Sequence, residues 1–578
     1  MTATPIWFGP PARPLFGWYH APADGRARGG VVLCPPLSRD YLQAHYALRR
    51  VAVGLEQAGL AVVRFDYDGT GDSFGATDDP GRVEAWLGSV AAAIDVLRRS
   101  GVARVGLAGM RIGALFAAEA AARDGSVDQL VVWDPVASGK AFVSEQRALA
   151  SLTFGTSPTH DDGSLETPGM LLSAETVAGL RALDIAPTGP PLAARALVLT
   201  RAGRTPPRAL SERLAASDTQ WAEAVGQEEL MDVGSPFQVL PDATISYVVA
   251  WFAGGAGAAT VAIDPPARAG SMVVGTLPDG REIVETPTAL GPLGLFAMTT
   301  EVPGAVVGPT VMLLSVANEH HIGPNRLWVE LARQWAALGM RCVRFDLSGL
   351  GDSPTRPGQT EFVARAPEAF DDVGAAAAAV SPADPSNVYF VGLCSAAYQA
   401  IENALVLGPR GIIAVNPVLS FLPPEMAAGQ PIDPRRRACL PRTSLVEKFH
   451  DDGPLAPLRR RFPNLGWSIR NFIARNQRPA VWLRELTAQG VEGLFVCGDR
   501  EIRQIRQGMT SHTYARLTGT GHLQLEYIAG LDHGLLLSAH RNQVTAMMTA
   551  FLTAQPTEPV AQRPSAPRSS TQPQVPAP

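Results

Sequence analysis

Cysteine is scarce in this chain: five thiols, at 34, 342, 394, 439 and 497, an odd number with no CxxC pair. A disulfide framework needs an even, closely spaced set, so this usage points to reduced thiols and a cytoplasmic protein. Long apolar runs are also missing. The best strings, such as Val248 to Ala253, suit a core and fall short of the roughly 20 residues needed to span a bilayer. The first twenty residues, MTATPIWFGPPARPLFGWYH, lack the basic and apolar regions of a signal peptide. Charge of one sign is wanting too: 49 basic against 54 acidic residues give a net charge of -5. That gives no electrostatic case for nucleic acid, whose binding depends on a basic face. What remains is a globular chain, 46% hydrophobic and 578 residues long, with material for at least two cores.

The chain contains itself twice. LAVVRFDYDGTGDS at 60–73 returns as MRCVRFDLSGLGDS at 340–353, so that Asp66 and Asp346 match at an offset of 280. An amphipathic helix pattern precedes each block, and a short apolar run precedes each helix. Downstream, VARVGLAGMRIGALFAAEAA parallels SNVYFVGLCSAAYQAIENAL, and Asp134 matches Asn416 at the end of the following strand. Strands alternating with helices predict doubly wound, mostly parallel α/β sheets, one per copy. The expected organisation is a first domain at 1–255, a Gly/Ala-rich linker at 256–270, a second domain at 271–555 and a disordered Pro-rich tail at 556–578. Long irregular insertions at 137–190 and 419–485 follow corresponding strands and are candidate lids over the ligand crevice.

The second copy carries the chemistry. Gly392-Leu393-Cys394-Ser395-Ala396 lies between a strand and a helix, the form of a nucleophile elbow, with small residues two before and two after the tip. A helix N-terminus aimed at Cys394 favours its thiolate. Ser395 is the rival, but centring on it would put Leu393 where a small residue is required. Strand GLFVC runs into Gly498-Asp499, which offers the acid, with Glu501 as competitor; Asp532-His533-Gly534 before the last helix offers the base. Nucleophile, acid, histidine is the chain order of an α/β-hydrolase triad, here Cys394, Asp499 and His533. The oxyanion hole is expected from the N–H of Ser395 and that of Ala317 or Asn318. His320 and His321 are candidate substrate contacts, with ordinary solvated residues as the alternative. Neither a metal site nor a cofactor is implied, since no third ligand stands at a recognisable spacing.

The first copy keeps the turn and loses the reagents. Its elbow is Gly109-Met110-Arg111-Ile112-Gly113; Ala202 occupies the acid's place, and aligning the last helices puts Gly234 opposite His533. A guanidinium cannot be deprotonated near neutral pH and cannot attack an acyl carbon.

These motifs resemble the α/β-hydrolase superfamily. HHIGPNRLWVELARQWAALGMRCVRFDLSGLGDS, with GLCSA and CGDREI, is similar to hydrolases found near bacterial polyketide and exopolysaccharide clusters. GMRIGA and LSAETVAGLRALDI resemble hydrolase-like proteins associated with exosortase systems, some of which also carry Arg at the elbow tip. The resemblance implies acyl chemistry on an ester or thioester, carrier-protein- or CoA-bound among the options, through a Cys-linked intermediate. In other members of the superfamily a Cys elbow is typical of polyhydroxyalkanoate synthases and some carrier-linked thioesterases. Arg435-Arg436-Arg437 and Arg459-Arg460-Arg461 in the second insertion could meet an acidic carrier or a pantetheine phosphate.

Overall fold

The computed structural model describes residues 3–554, apart from 420–478 and the short stretches 156–158, 187, 236, 307, 383, 385–386, 508–510 and 520. The arginine clusters, Cys439, most of the second insertion and the Pro-rich tail lie outside the described residues.

Two mixed sheets follow one another along the chain. The first has eight strands in the spatial order Thr4–Phe8, Leu15–His20, Ala61–Phe65, Gly30–Cys34, Val105–Met110, Gln129–Trp133, Arg195–Thr200 and Asp218–Glu223. The second has nine: Met272–Thr276, Glu282–Leu290, Leu295–Glu301, Arg341–Phe345, Thr310–Leu313, Val388–Leu393, Gly411–Val415, Glu492–Cys497 and Leu523–Tyr527. In each, the leading strands pair antiparallel and every later pair is parallel. Strand residues alternate between faces, as a period of two requires. Val32 and Cys34 pack under helices Arg82–Arg99 and Ile112–Asp124, while Val31 and Leu33 pack under Arg39–Gln57 and Asp242–Gly255. The fold is thus two α/β-hydrolase-type sheets, each wound on both faces. No helix among the described residues is long and apolar enough to cross a membrane.

The repeated GTGDS and GLGDS blocks build the same turn twice. Gly71 and Gly351 hold φ of 48° and 47°, and a Cβ on either would fall about 2 Å from the carboxylate of Asp66 or Asp346. That carboxylate accepts from the N–H of Asp72 or Asp352 at 2.9 and 2.8 Å. Ser73 and Ser353 each accept from the N–H of Phe16 or Phe296 at 2.9 Å.

The two turns meet, so that the halves face each other about an approximate dyad. Phe16 stacks on Phe296 with ring centroids 6.3 Å apart. Asp72 of the first half pairs with Arg344 (2.5 Å) and His321 (2.6 Å) of the second, while Asp352 pairs with Arg64 (2.6 Å) and His45 (3.2 Å) of the first. Arg49 donates to the carbonyls of Gly351 and Ser353; Arg326 donates to those of Gly71 and Ser73. This is the self-complementary contact of a two-fold dimer, made within one chain.

The segment joining the halves is not a loose tether. Val261–Ala262 pairs with Arg26–Ala27, and the N–H groups of Ile263, Asp264 and Ala269 donate to carbonyls of Gly25, Ser100 and Pro5. Its Gly/Ala composition suggested flexibility, but the hydrogen bonds available along the first half's edge outweigh that local freedom.

Candidate active site

Cys394 sits at the tip of a tight strand-to-helix turn with φ 56° and ψ -114°, and helix Ser395–Leu407 begins at the next residue. The turn closes because Gly392 is bare: a Cβ there would stand 2.3 Å from the carbonyl carbon of Ala396. The Cys394 N–H donates to Val415 at 3.0 Å, tying the tip to the neighbouring strand. The thiol is half-buried, whereas Cys34, Cys342 and Cys497 are fully buried. Burial pushes the Cys497 thiol up to about 12 and the other two higher still.

His533 reaches Cys394 from the loop before the last helix. A hydrogen bond to the thiol, then one to Glu501, raises its pKa to about 9 against the opposing effect of burial. Its Nδ1 lies 3.1 Å from Glu501 Oε1, so the other ring nitrogen serves the thiol. The carboxylate that meets His533 is therefore Glu501, and Asp499, expected in that place, does not contact the imidazole. Helix Asp499–Gln507 starts at the strand's end, and two positions along a helix turn the side chain by about 200°. Asp499 consequently points outward, where its carboxylate accepts from Tyr527 and from the Gly530 N–H (2.9 Å), while Glu501 turns inward and is buried.

Asn416, matched earlier only as a strand end, ties the acid to the base. Its Oδ1 accepts from Gly498 N–H at 2.9 Å, and its Nδ2 donates to the carbonyls of Asp532 and His533, both at 3.2 Å. Asn325 adds donations to Gly534 and Leu535. The sequence signal for Asn416 was its place at the end of the strand beside the elbow.

The oxyanion loop differs in one respect from expectation. Ala317 holds φ 51° and donates its N–H to Ser395 Oγ at 2.8 Å, so that amide is committed to bracing the elbow. The N–H of Ser395, at the first helical position, has no acceptor within its helix. It and the Asn318 N–H are left as the candidate pair.

His320 and His321 do not line the approach to Cys394; they face the dyad. His321 is 2% exposed, with Asp346 on Nδ1 (3.0 Å) and Asp72 on Nε2 (2.6 Å). Burial opposes its charge, yet the two carboxylates hold its pKa well above the ordinary value. His320 stacks on His45 at 3.8 Å, and burial with the neighbouring imidazoles drives its pKa well below the ordinary value. Both border a small cavity of about 30 Å³ between the halves, lined also by Tyr41, Asp66, Asp72 and Asp352. The substrate-contact expectation is thus corrected: adjacent histidines in a loop read the same in sequence whether they face a crevice or a partner half.

The first half has the same turn around a different tip. Arg111 holds φ 56° and ψ -123°, and its N–H donates to Trp133 at 2.9 Å. Its guanidinium meets Asp40 (3.2 Å), Asp134 (3.4 Å) and Glu145, the last from the insertion helix Gly139–Phe154. Ala202 is exposed and leaves the acid's place empty, while its neighbour Arg201 turns in to Asp134 at 2.8 Å and Asp232 at 2.6 Å. Gly234 is exposed and carries no side chain toward Arg111. Charge pairs thus surround the tip at which the second half carries its thiol.

No protein family and no curated protein matches this chain. Solved structures similar to it include Est1E from Butyrivibrio proteoclasticus, 14% identical over 44% of this chain and 98% of that one, with a TM-score of 0.32. A putative hydrolase from Agrobacterium vitis S4 is 18% identical over 43% of this chain and 97% of its own, with a TM-score of 0.31. A thioesterase domain from the curacin biosynthetic pathway is 16% identical over 46% of this chain and 99% of its own, with a TM-score of 0.28. Each spans about half of this chain, and none bears on its chemistry.

Proposed function

We propose that residues 271–555 form an acyltransferase or thioesterase acting on acyl thioesters or esters through a Cys394-linked acyl intermediate, with residues 1–255 as its catalytically inactive partner domain. The observation that supports this reading is a half-buried thiol at an elbow tip beside His533, whose Nδ1 lies 3.1 Å from Glu501 Oε1. An imidazole with a pKa raised to about 9 is mostly protonated near neutral pH, so it can hold the proton that the thiol gives up.

In the first step the Cys394 proton passes to His533 and Sγ attacks the acyl carbon. In this reading the Ser395 and Asn318 amides are the donors to the charge that develops on the acyl oxygen. Collapse expels the donor's thiol or alcohol, which takes the proton from His533. The acceptor then gives a proton to His533, attacks the thioester and returns Cys394 to its starting state. Glu501 holds the imidazole in the required tautomer and offsets its charge.

Sulfur at the tip favours transfer over hydrolysis. Exchange of one thioester for another is nearly thermoneutral, so the Cys394 adduct keeps the acyl group activated for an organic acceptor. The test is intact-mass spectrometry after incubation with an acyl-pantetheine and with aryl esters, followed by product analysis with and without added alcohols or amines. An acyl adduct on Cys394 that partitions to the acceptor is expected. Free acid released at a rate no acceptor alters would make the protein a hydrolase, and failure to form any adduct would remove acyl chemistry altogether.

A further inference from the structure

The loop that should complete the oxyanion hole is held from the other half of the molecule. Asn318 is 6% exposed, and both ends of its carboxamide are taken by side chains of the first half. Its Oδ1 accepts from Ser235 Oγ, and its Nδ2 donates to Gln238 Oε1 at 3.2 Å. Gln238 is itself fixed, since its Nε2 donates to the Leu230 carbonyl at 2.8 Å. Leu230 belongs to a short helix, Gln227–Met231, whose Gln227 donates to Asp134 at 3.2 Å, the carboxylate between Arg111 and Arg201. On the other side of Asn318, Ala317 is braced by Ser395 Oγ at 2.8 Å with φ 51°.

Ser235 and Gln238 lie in the loop where a histidine would stand if the first half were active, next to Gly234. We infer that this vestigial loop has become part of the second half's machinery: Ser235 and Gln238 are positioning residues that act through Asn318 to aim the Asn318 amide at the acyl oxygen. A carboxamide side chain bound at both ends cannot rotate, and its backbone is then set to within the fraction of an ångström that an oxyanion donor needs. The inference rests on the acyl-enzyme reading above, because an oxyanion hole has meaning only where a carbonyl is attacked.

Two reactions of the same thiol separate this role from mere support of the triad. Alkylation by iodoacetamide uses Cys394 and His533 but builds no oxyanion, whereas acylation by an aryl ester does both. In the full chain, Ser235→Ala and Gln238→Leu change half-buried side chains. Each should slow acylation about tenfold to a hundredfold, since outright loss of one oxyanion donor costs about 10²–10³. The alkylation rate of Cys394 should stay unchanged, and Ser235→Thr, which keeps the hydroxyl, should restore acylation. Acylation as fast in the two variants as in the wild type overturns the inference, and so does a parallel fall in both reactions. A wild-type protein that is alkylated at Cys394 but never acylated would instead sink the acyl-enzyme reading itself.

Discussion

At the tip of one elbow stands a thiol beside an imidazole; at the tip of the other stands a guanidinium among the carboxylates of Asp40, Asp134 and Glu145. The backbones are nearly the same, with φ 56° at both tips. Left-handed backbone at a non-glycine residue costs on the order of 1–3 kcal/mol. It persists at Arg111, where no nucleophile remains, because Gly109 and Gly113 and the flanking strand and helix impose it. A Cβ on Gly109 would fall 2.5 Å from the carbonyl carbon of Gly113. Strain at the tip is thus a property of the fold, and chemistry is a property of the side chains set upon it.

The comparison is most directly broken by exchanging reagents. Cys394→Ala should abolish turnover, and His533→Ala or Glu501→Gln should lower it by about 10³- to 10⁴-fold, whereas Asp499→Asn should cost less than about fivefold. Comparable losses in the Asp499 and Glu501 variants would return the acid's role to doubt. In the mirror experiment, Arg111→Cys should yield no second acylated site, since Arg201 still pairs with Asp134 beside the tip and no imidazole among the described residues contacts it. An acyl adduct at position 111 would show the first half to be only one residue from activity.

How far these contrasts were legible in sequence depends on what sets each residue's direction. The repeat, the sheet order and both elbows could be read because strand and helix periods and small-residue spacing are local. Asp499 and Glu501 are two residues apart on a helix whose phase no local signal sets, so the outward one was favoured. His320, His321 and Asn318 were read against a crevice, when their partners lie some 80 to 280 positions away at the dyad. Contacts between two halves that resemble each other leave no spacing pattern to detect.

The dyad itself can be sharpened next. Asp72 is fully buried and carries a charge shared between His321 and Arg344, which hold its pKa well below the carboxylate range although burial works against it. Breaking a buried pair of this kind typically costs about 3–5 kcal/mol. Asp72→Ala should therefore lower the free energy of urea unfolding by about that amount, well beyond the effect of an exposed pair such as Arg208–Glu212. Equal, small effects at the two sites would show that the halves gain nothing from this contact.

The smallest expected effect is on pH dependence. The thiol of Cys394 and then Glu501 raise the His533 pKa to about 9 from an ordinary value near 6.5. A raised pKa binds a proton more tightly in the folded state, so its contribution to stability is full below about pH 6.5 and is lost as pH rises through about 9. Glu501→Gln removes one cause of the shift and should shrink the decline in melting temperature between those pH values. Parallel curves for the variant and the wild type would mean that Glu501 does not act on His533.

The approximate dyad has one more consequence, which concerns mutation. In a two-fold dimer of identical chains every substitution is made twice, so a Cys-to-Arg change at the elbow would remove both sites at once. Here each change is made once. Tyr41 stands where its counterpart is His321, and each binds the aspartate of its own repeated block, Asp66 or Asp346. Arg64 is braced by His20, while its counterpart Arg344 is braced by Glu285. Joining the halves also fixes their ratio at one to one and makes their meeting independent of dilution. A chain built in this way can convert one copy of its elbow into an ionic anchor and assign that copy's spare loop to its neighbour.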